Sequence, residues 1–222
     1  MVTLILSGGG DAPDTEVLDK LFISMLNGKK ILYVPIAWKS GDFESCKEWF
    51  TSTYSNLGFT NFEMWTDIRD KKFDDLESFG GIYIGGGNTF SLLNELKDSK
   101  FYELLEKFLD SGRPVFGGSA GAIIFGKSIE TAGYGTDPDS NDIELEDFSG
   151  FNFVNGYSIQ CHYEEDQDDE LIEFSKSKSI IALSEKSGIL VKNDELEVVG
   201  FEPAYVFRNG IKTEFKVGSM IF

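Results

Sequence analysis

Three glycine-rich turns, Gly8–Gly10, Gly85–Gly87 and Gly117–Gly121, each follow a short apolar run of the kind that forms a buried strand. The runs are Val2–Leu6, Gly81–Ile84 and Arg113–Phe116, and helix-like stretches follow at Asp14–Asn27, Phe90–Leu96 and Ala120–Phe125. Continuous apolar strands that alternate with helices predict a parallel sheet covered on both faces. In such sheets, sites form beyond the carboxyl ends of the strands. The three turns are therefore expected to converge on one edge.

The rest of the N-terminal part keeps this rhythm. Val17, Leu18, Leu21, Phe22, Met25 and Leu26 repeat with helical spacing. Lys30–Pro35 and Phe62–Trp65 read as strands, and Asp42–Asn56 and Phe101–Leu109 as helices. Beyond residue 128 the pattern changes. Tyr134–Phe151 is acidic and polar and reads as a long loop, Ser158–Cys161 as a short strand, and Glu164–Glu170 as an exposed, acid-rich helix start. Strands are expected at Ile180–Ser184, Gly188–Val191, Leu196–Gly200, Ala204–Phe207 and Ile211–Phe215, with turn signals at Asn193-Asp194 and Asn209-Gly210. No linker interrupts the chain, so residues 1–222 are read as a single α/β domain with extra C-terminal strands and hairpins.

Charge and cysteine usage narrow the function classes. Acids outnumber bases 38 to 20, a formal net charge of −18. Phosphate backbones and anionic membrane surfaces are poor partners for such a surface. The two cysteines, Cys46 and Cys161, form no metal-ligand spacing with a histidine, so no metal or cofactor is expected. The N-terminal MVTLILSGGGD has no basic leader, and no apolar stretch approaches the ~20 residues of a membrane span. A cytoplasmic protein is expected, with a homodimer left open.

The chemistry centres on Gly117-Gly118-Ser119-Ala120-Gly121, which fits G-x-S-x-G between a strand and a helix. In that setting the pattern is a nucleophile elbow, where small neighbours relieve collisions across a sharp turn. The bland alternative is an ordinary glycine-rich turn. The single histidine, His162, tips the balance, because a serine hydroxyl needs a base to take its proton. The orienting acid has two sources. One is the loop with Asp137, Asp139, Asp142, Glu144, Glu146 and Asp147; the other is Glu185, held between two strand-like segments. The loop acids read as a solvated face. The Gly85–Thr89 turn offers a backbone N–H for an oxyanion alongside that of Ala120, with Asn88 or Thr89 as a helix cap and Asn88 also a substrate-binding candidate. A side chain at Gly87 is expected to crowd the oxyanion with little effect on stability. Ser7–Gly10 lacks the residues of a phosphate loop and is read as a structural turn.

Taken together, Gly85-Gly86-Gly87-Asn88-Thr89, Gly118-Ser119-Ala120-Gly121-Ala122 and His162 resemble the aspartyl dipeptidase (dipeptidase E) and cyanophycinase family of serine peptidases. The resemblance runs from the first strand to about residue 191. It implies a flavodoxin-like sheet related to class I glutamine amidotransferases. It also implies Ser119 as nucleophile, His162 as base, and the N–H groups of Gly87 and Ala120 as the oxyanion hole. Leu183-Ser184-Glu185-Lys186 is similar to the acid-bearing segment of the cyanophycinase branch. The other branch carries an Asp shortly after the elbow helix, where this chain reads Thr131-Ala132-Gly133-Tyr134-Gly135. This favours Glu185. Strict aspartyl specificity is at odds with arginines at Arg69, Arg113 and Arg208 alone. The expected activity is hydrolysis of a small peptide or amide through a Ser-His-Glu triad. The alternatives are an esterase or amidase on non-peptide substrates, and a catalytically silent small-ligand binder.

Overall fold

The computed structural model describes residues 2–38 and 40–222. Its larger, eight-stranded sheet is built around parallel strands β1 (Thr3–Ser7), β2 (Lys30–Val34), β3 (Phe62–Met64), β4 (Phe79–Ile84) and β5 (Val115–Gly118). Their spatial order is β1-β5-β4-β2-β3, and every neighbouring pair is parallel. The run β3-β2-β4-β5 is the flavodoxin-like order, and β1 fills the place that the last strand takes in that order.

Helices α1 (Ala12–Met25), α2 (Phe43–Asn56), α3 (Thr89–Asp98) and α4 (Phe101–Asp110) cover both faces. The division follows from strand geometry, since successive side chains point to opposite sides. Ile5, Ile31, Tyr33, Tyr83 and Phe116 face one way and pack with Leu18, Phe22 and Leu26 of the α1 side and Phe50 and Tyr54 of α2. Leu4, Leu6, Leu32, Val34, Ile82, Ile84 and Val115 face the other way and pack with Leu92, Leu93 and Leu96 of α3 and Leu105, Phe108 and Leu109 of α4. Two of the helix starts are fixed by side chains: Asp42 accepts from Ser45 N–H at α2 and Asn88 from Ser91 N–H at α3.

The C-terminal strands do not form one group of hairpins; they divide between two sheets. β8 (Ser187–Lys192), β9 (Glu195–Gly200) and β12 (Met220–Ile221) extend the larger sheet from β1, all antiparallel. β6 (Ser158–Gln160), β7 (Ile180–Leu183), β10 (Ala204–Arg208) and β11 (Ile211–Phe215) form a separate four-stranded sheet, in which β6 and β7 run parallel. Alternation of apolar residues fixes which face of a strand is buried, not which strand it pairs with. Between β5 and β6 the helix expected over Ala120–Phe125 shortens to one turn, α5 (Ala120–Ile123). The acid-rich run at Glu164–Glu170 leads into α6 (Asp168–Phe174) through a short 3₁₀ turn at Glu165–Gln167. Among the described residues, no helix is long and apolar enough to cross a membrane.

One core position is electrostatically costly. Asp19 on α1 is 1 % exposed. Thr15 Oγ1 donates to it at 2.7 Å and the Tyr54 hydroxyl at 2.9 Å. Burial outweighs both hydrogen bonds and pushes the carboxyl up to about 6. A carboxyl whose folded pKa is raised favours folding in its neutral form, so this contribution is present below pH ~4 and is lost as pH rises through about 6. Asp19→Asn keeps the shape without the charge. Its unfolding free energy relative to the parent is expected to improve by roughly 2 kcal/mol between pH 4 and pH 7. Urea unfolding of both proteins across that range tests this, and a difference independent of pH would refute it.

Candidate active site

All three glycine turns reach the carboxyl-terminal edge of the parallel strands, where they line a cleft of about 1030 Å³. Ser119 stands directly after β5 in a left-handed backbone conformation, φ 52° and ψ −116°. That region costs an L-residue roughly 1–3 kcal/mol and persists only where neighbours over-determine it. Here Ser119 N–H donates to Ser7 O at 3.1 Å, while Ala122 and Ile123 N–H return to Ser119 O at 2.7 and 3.0 Å. The flanking glycines have an exact steric reason. A Cβ at Gly117 would lie 2.2 Å from Gly121 O, and one at Gly121 would lie 2.3 Å from Ile84 O.

His162 follows β6 and is also left-handed, at φ 50°. Its N–H donates to Gly8 O at 2.9 Å, which ties the second sheet to the turn after β1. Its Nε2 lies 2.8 Å from Ser119 Oγ, and its Nδ1 lies 2.8 Å from Glu185 Oε1. Glu185 follows β7, the parallel neighbour of β6, so the two side chains leave adjacent strand ends. The imidazole and carboxylate side chains are 47 % and 53 % exposed. A pair this exposed adds little to stability; its effect is to fix ring orientation and tautomer. With the proton on Nδ1, that group donates to Glu185 and Nε2 accepts from the Ser119 hydroxyl.

The remaining predicted residues separate clearly. Gly87 lines the same cleft and Ala120 follows Ser119 directly, and among the described residues their N–H groups donate to no protein acceptor. Gly87 also sits against the backbone. At φ +130°, a Cβ there would meet Ala37 O at 2.3 Å, so a side chain at Gly87 disturbs the fold as well as the cleft, contrary to expectation. Asn88 is not on the cleft wall. Its Oδ1 accepts from Ser91 N–H at 3.0 Å and its Nδ2 donates to Ser140 O at 2.9 Å, which makes it a cap and a clamp on the acidic loop. Of the loop acids, Asp139 accepts from Thr89 N–H, Asp142 from Ser140 Oγ and Asp147 from Lys97 Nζ, while Asp137 and Asp139 line the cleft. The Lys97 ammonium and the Ser149 hydrogen bonds hold Asp147 well below the usual carboxylate range. Among the described residues, none of these acids is hydrogen-bonded to His162, and no group of three or more His, Cys, Asp or Glu could hold a metal ion.

Ser7–Gly10, read from the sequence as a structural turn, packs directly against the site: Gly9 lies against the imidazole. A Cβ on Gly9 would lie 2.2 Å from His162 Cε1, and one on Gly10 would lie 2.9 Å from Glu185 Cβ. Cys161, buried beneath the site, donates its thiol to Ser119 O at 3.5 Å, and burial pushes that thiol far above its ordinary value.

The profile described as Peptidase family S51 matches residues 3–199. Peptidase E of Actinobacillus pleuropneumoniae serotype 7 (strain AP76) is 26 % identical over 243 residues, covering 100 % of this chain and 99 % of that protein. Peptidase E of Haemophilus influenzae (strain ATCC 51907 / DSM 11121 / KW20 / Rd) is 28 % identical over 203 residues, covering 84 % and 88 %. Among solved structures, a protein from Listeria monocytogenes EGD-e that carries the peptidase E name superposes with a TM-score of 0.72 at 25 % identity, covering 91 % of this chain and 100 % of that one. A peptidase from an acI-B1 Actinobacterium shares the fold, with a TM-score of 0.76 at 19 % identity over 100 % and 96 % of the two chains.

The Gly9 contact generates a test that needs no substrate. His162 is the single histidine of the chain, so one ring Cε1–H resonance reports on it. Gly9→Ala is expected to displace the ring, shifting that resonance while the far-ultraviolet circular dichroism stays that of the parent. An unmoved resonance in a folded variant would show that the Gly9 contact does not hold the imidazole.

Proposed function

Because the chain belongs to peptidase family S51, and with it to the serine-type peptidases, we propose that it cleaves a peptide bond in a short peptide through an acyl-enzyme formed on Ser119. The observation that supports this most directly is the pair of 2.8 Å contacts linking Glu185 to His162 and His162 to Ser119. A serine hydroxyl is a poor nucleophile until a base within hydrogen-bond reach accepts its proton.

In this reading His162 Nε2 takes the Ser119 proton as Oγ bonds to the substrate carbonyl carbon. The imidazolium then returns that proton to the leaving nitrogen as the C–N bond breaks. A water molecule, deprotonated by the same nitrogen, attacks the ester, and Ser119 leaves with the proton. Glu185 accepts from Nδ1 throughout, holds the productive tautomer and stabilises the imidazolium. The free N–H groups of Gly87 and Ala120 would receive the negative charge of the tetrahedral oxygen. The strained backbone at Ser119 keeps Oγ projecting into the cleft without a conformational search.

Two variants test the assignments. Ser119→Ala is expected to abolish turnover of short peptides and labelling by a fluorophosphonate, with the melting temperature of the parent. Retention of near-parental hydrolysis would sink the nucleophile assignment. Glu185→Gln is expected to lower kcat by roughly two to four orders of magnitude, by analogy with loss of the acid in a known triad. Asp137→Asn, Asp139→Asn and Asp142→Asn should each stay within roughly tenfold of the parent. Collapse of kcat in a loop variant, with Glu185→Gln active, would transfer the acid role to the loop.

A further inference from the structure

The cleft extends beyond the reacting groups into a recess between the ends of β2 and β4 and the face of α2. Its walls are Tyr33, Cys46, Trp49 and Tyr83. We propose that this recess receives an uncharged aromatic side chain of the substrate, carried by the residue whose carbonyl Ser119 attacks. The inference rests on the reading of Ser119 as nucleophile.

The recess lies next to the nucleophile. Gly86 packs so closely that a Cβ there would lie 3.2 Å from Ser119 Cβ, and a Cβ at Gly118 would lie 3.2 Å from the Tyr83 hydroxyl. At Gly85 a Cβ would lie 3.3 Å from the Tyr33 ring. The missing side chains on this side leave the approach from Ser119 to the tyrosines open. The leaving nitrogen must face His162, which stands over Gly9, because the proton returns to it from there. The flank formed by Gly85 and Gly86 is thereby left to the acyl residue.

The chemistry of the walls specifies the guest. Tyr33 and Tyr83 meet edge to face with centroids 5.7 Å apart, and Trp49 lies 6.4 and 6.3 Å from them. These spacings and tilts are those with which aromatic rings attract one another, and one face of each tyrosine is already stacked, Tyr33 on Phe50 at 4.2 Å and Tyr83 on Phe116 at 4.5 Å, so a substrate ring meets their remaining edges and Trp49. Tyr83 is 5 % exposed, and its hydroxyl makes no hydrogen bond among the described residues. A charged guest brought against these buried rings would give up its hydration without a partner, whereas an uncharged ring gives up little. Of the cleft-lining residues described, Lys186 is the one lysine or arginine, and it lies 3.9 Å from both Asp14 and Glu202. Asp137, Asp139, Glu164 and Glu202 line the rest of the cleft, so an acidic side chain meets repulsion rather than a counter-ion.

The experiment compares Phe, Ala and Asp aminoacyl amides of one fluorogenic amine on the parent protein, on Trp49→Ala and on Cys46→Trp. The parent is expected to prefer Phe over Ala by at least about tenfold in kcat/KM, the scale on which an apolar pocket discriminates, and to use Asp least. Trp49→Ala, which removes one wall, should lower the Phe-to-Ala ratio about tenfold. Cys46→Trp, which fills the space, should bring it below one. Fluorophosphonate labelling separates the two levels of the argument. Labelling of Ser119 with a flat or Asp-preferring series in the parent overturns the recess alone. An unchanged ratio in both folded variants does the same. A parent that neither labels nor hydrolyses overturns the nucleophile, and the recess assignment falls with it.

Discussion

The architecture depends on a backbone-to-backbone seam that only glycine permits. A Cβ at Gly8 would lie 2.1 Å from Ser184 O, so the end of β1 and the end of β7 meet at main-chain distance. The neighbouring glycines continue the seam, with Gly9 under the imidazole and Gly10 against Glu185. Without this approach, the smaller sheet could not bring its strand ends to the edge of the larger one. The serine belongs to one sheet, and the histidine and the carboxylate belong to the other. A site divided in this way is only as well placed as the contact between its halves.

The same seam explains why strain can be held in place. Ser119 and His162 both adopt positive φ, and each is hydrogen-bonded through its N–H to the turn after β1, to Ser7 O and Gly8 O respectively. One short segment thus fixes two strained residues relative to each other. The exposed contact between His162 and Glu185 would order little by itself. Its geometry is inherited from the adjacent, parallel β6 and β7, whose backbones set the separation of the two side chains.

How much of this was legible in the sequence varies by residue, for physical reasons. Ser119 was readable because the collision that Gly117 avoids, with Gly121 O, is local and leaves a pattern of fixed spacing, although Gly121 itself answers to Ile84 O on a neighbouring strand. His162 stood out because no other imidazole exists in the chain. Glu185 was readable from the apolar runs on either side of it. Gly9 and Gly10 were missed because the atoms they accommodate come from residues some 150 to 175 positions away, and nothing nearby in the sequence records them. Asn88 was over-read: a cap and a ligand-binding amide look alike until the partners of its side chain are seen. The aromatic recess was invisible for a related reason, since Tyr33, Trp49 and Tyr83 come from three separate elements. The division of the C-terminal strands into two sheets likewise leaves no trace in alternation.

The position of β1 has a consequence for the birth of the molecule. β1 lies between β5 and β8, pairing with residues 115–118 on one side and 188–192 on the other. It must wait for most of the chain before both edges are satisfied, and the entropy of closing such long loops has to be met before the pairing is rewarded. A growing chain on the ribosome can shape β2, β3 and β4 with their helices early, but β1 has both of its partners only once β8 has left the exit tunnel. Ser119, His162 and Glu185 then come together in the same late event that closes the sheet. Before then, the hydroxyl of Ser119 and the carboxylate of Glu185 have no common frame to hold them on either side of His162.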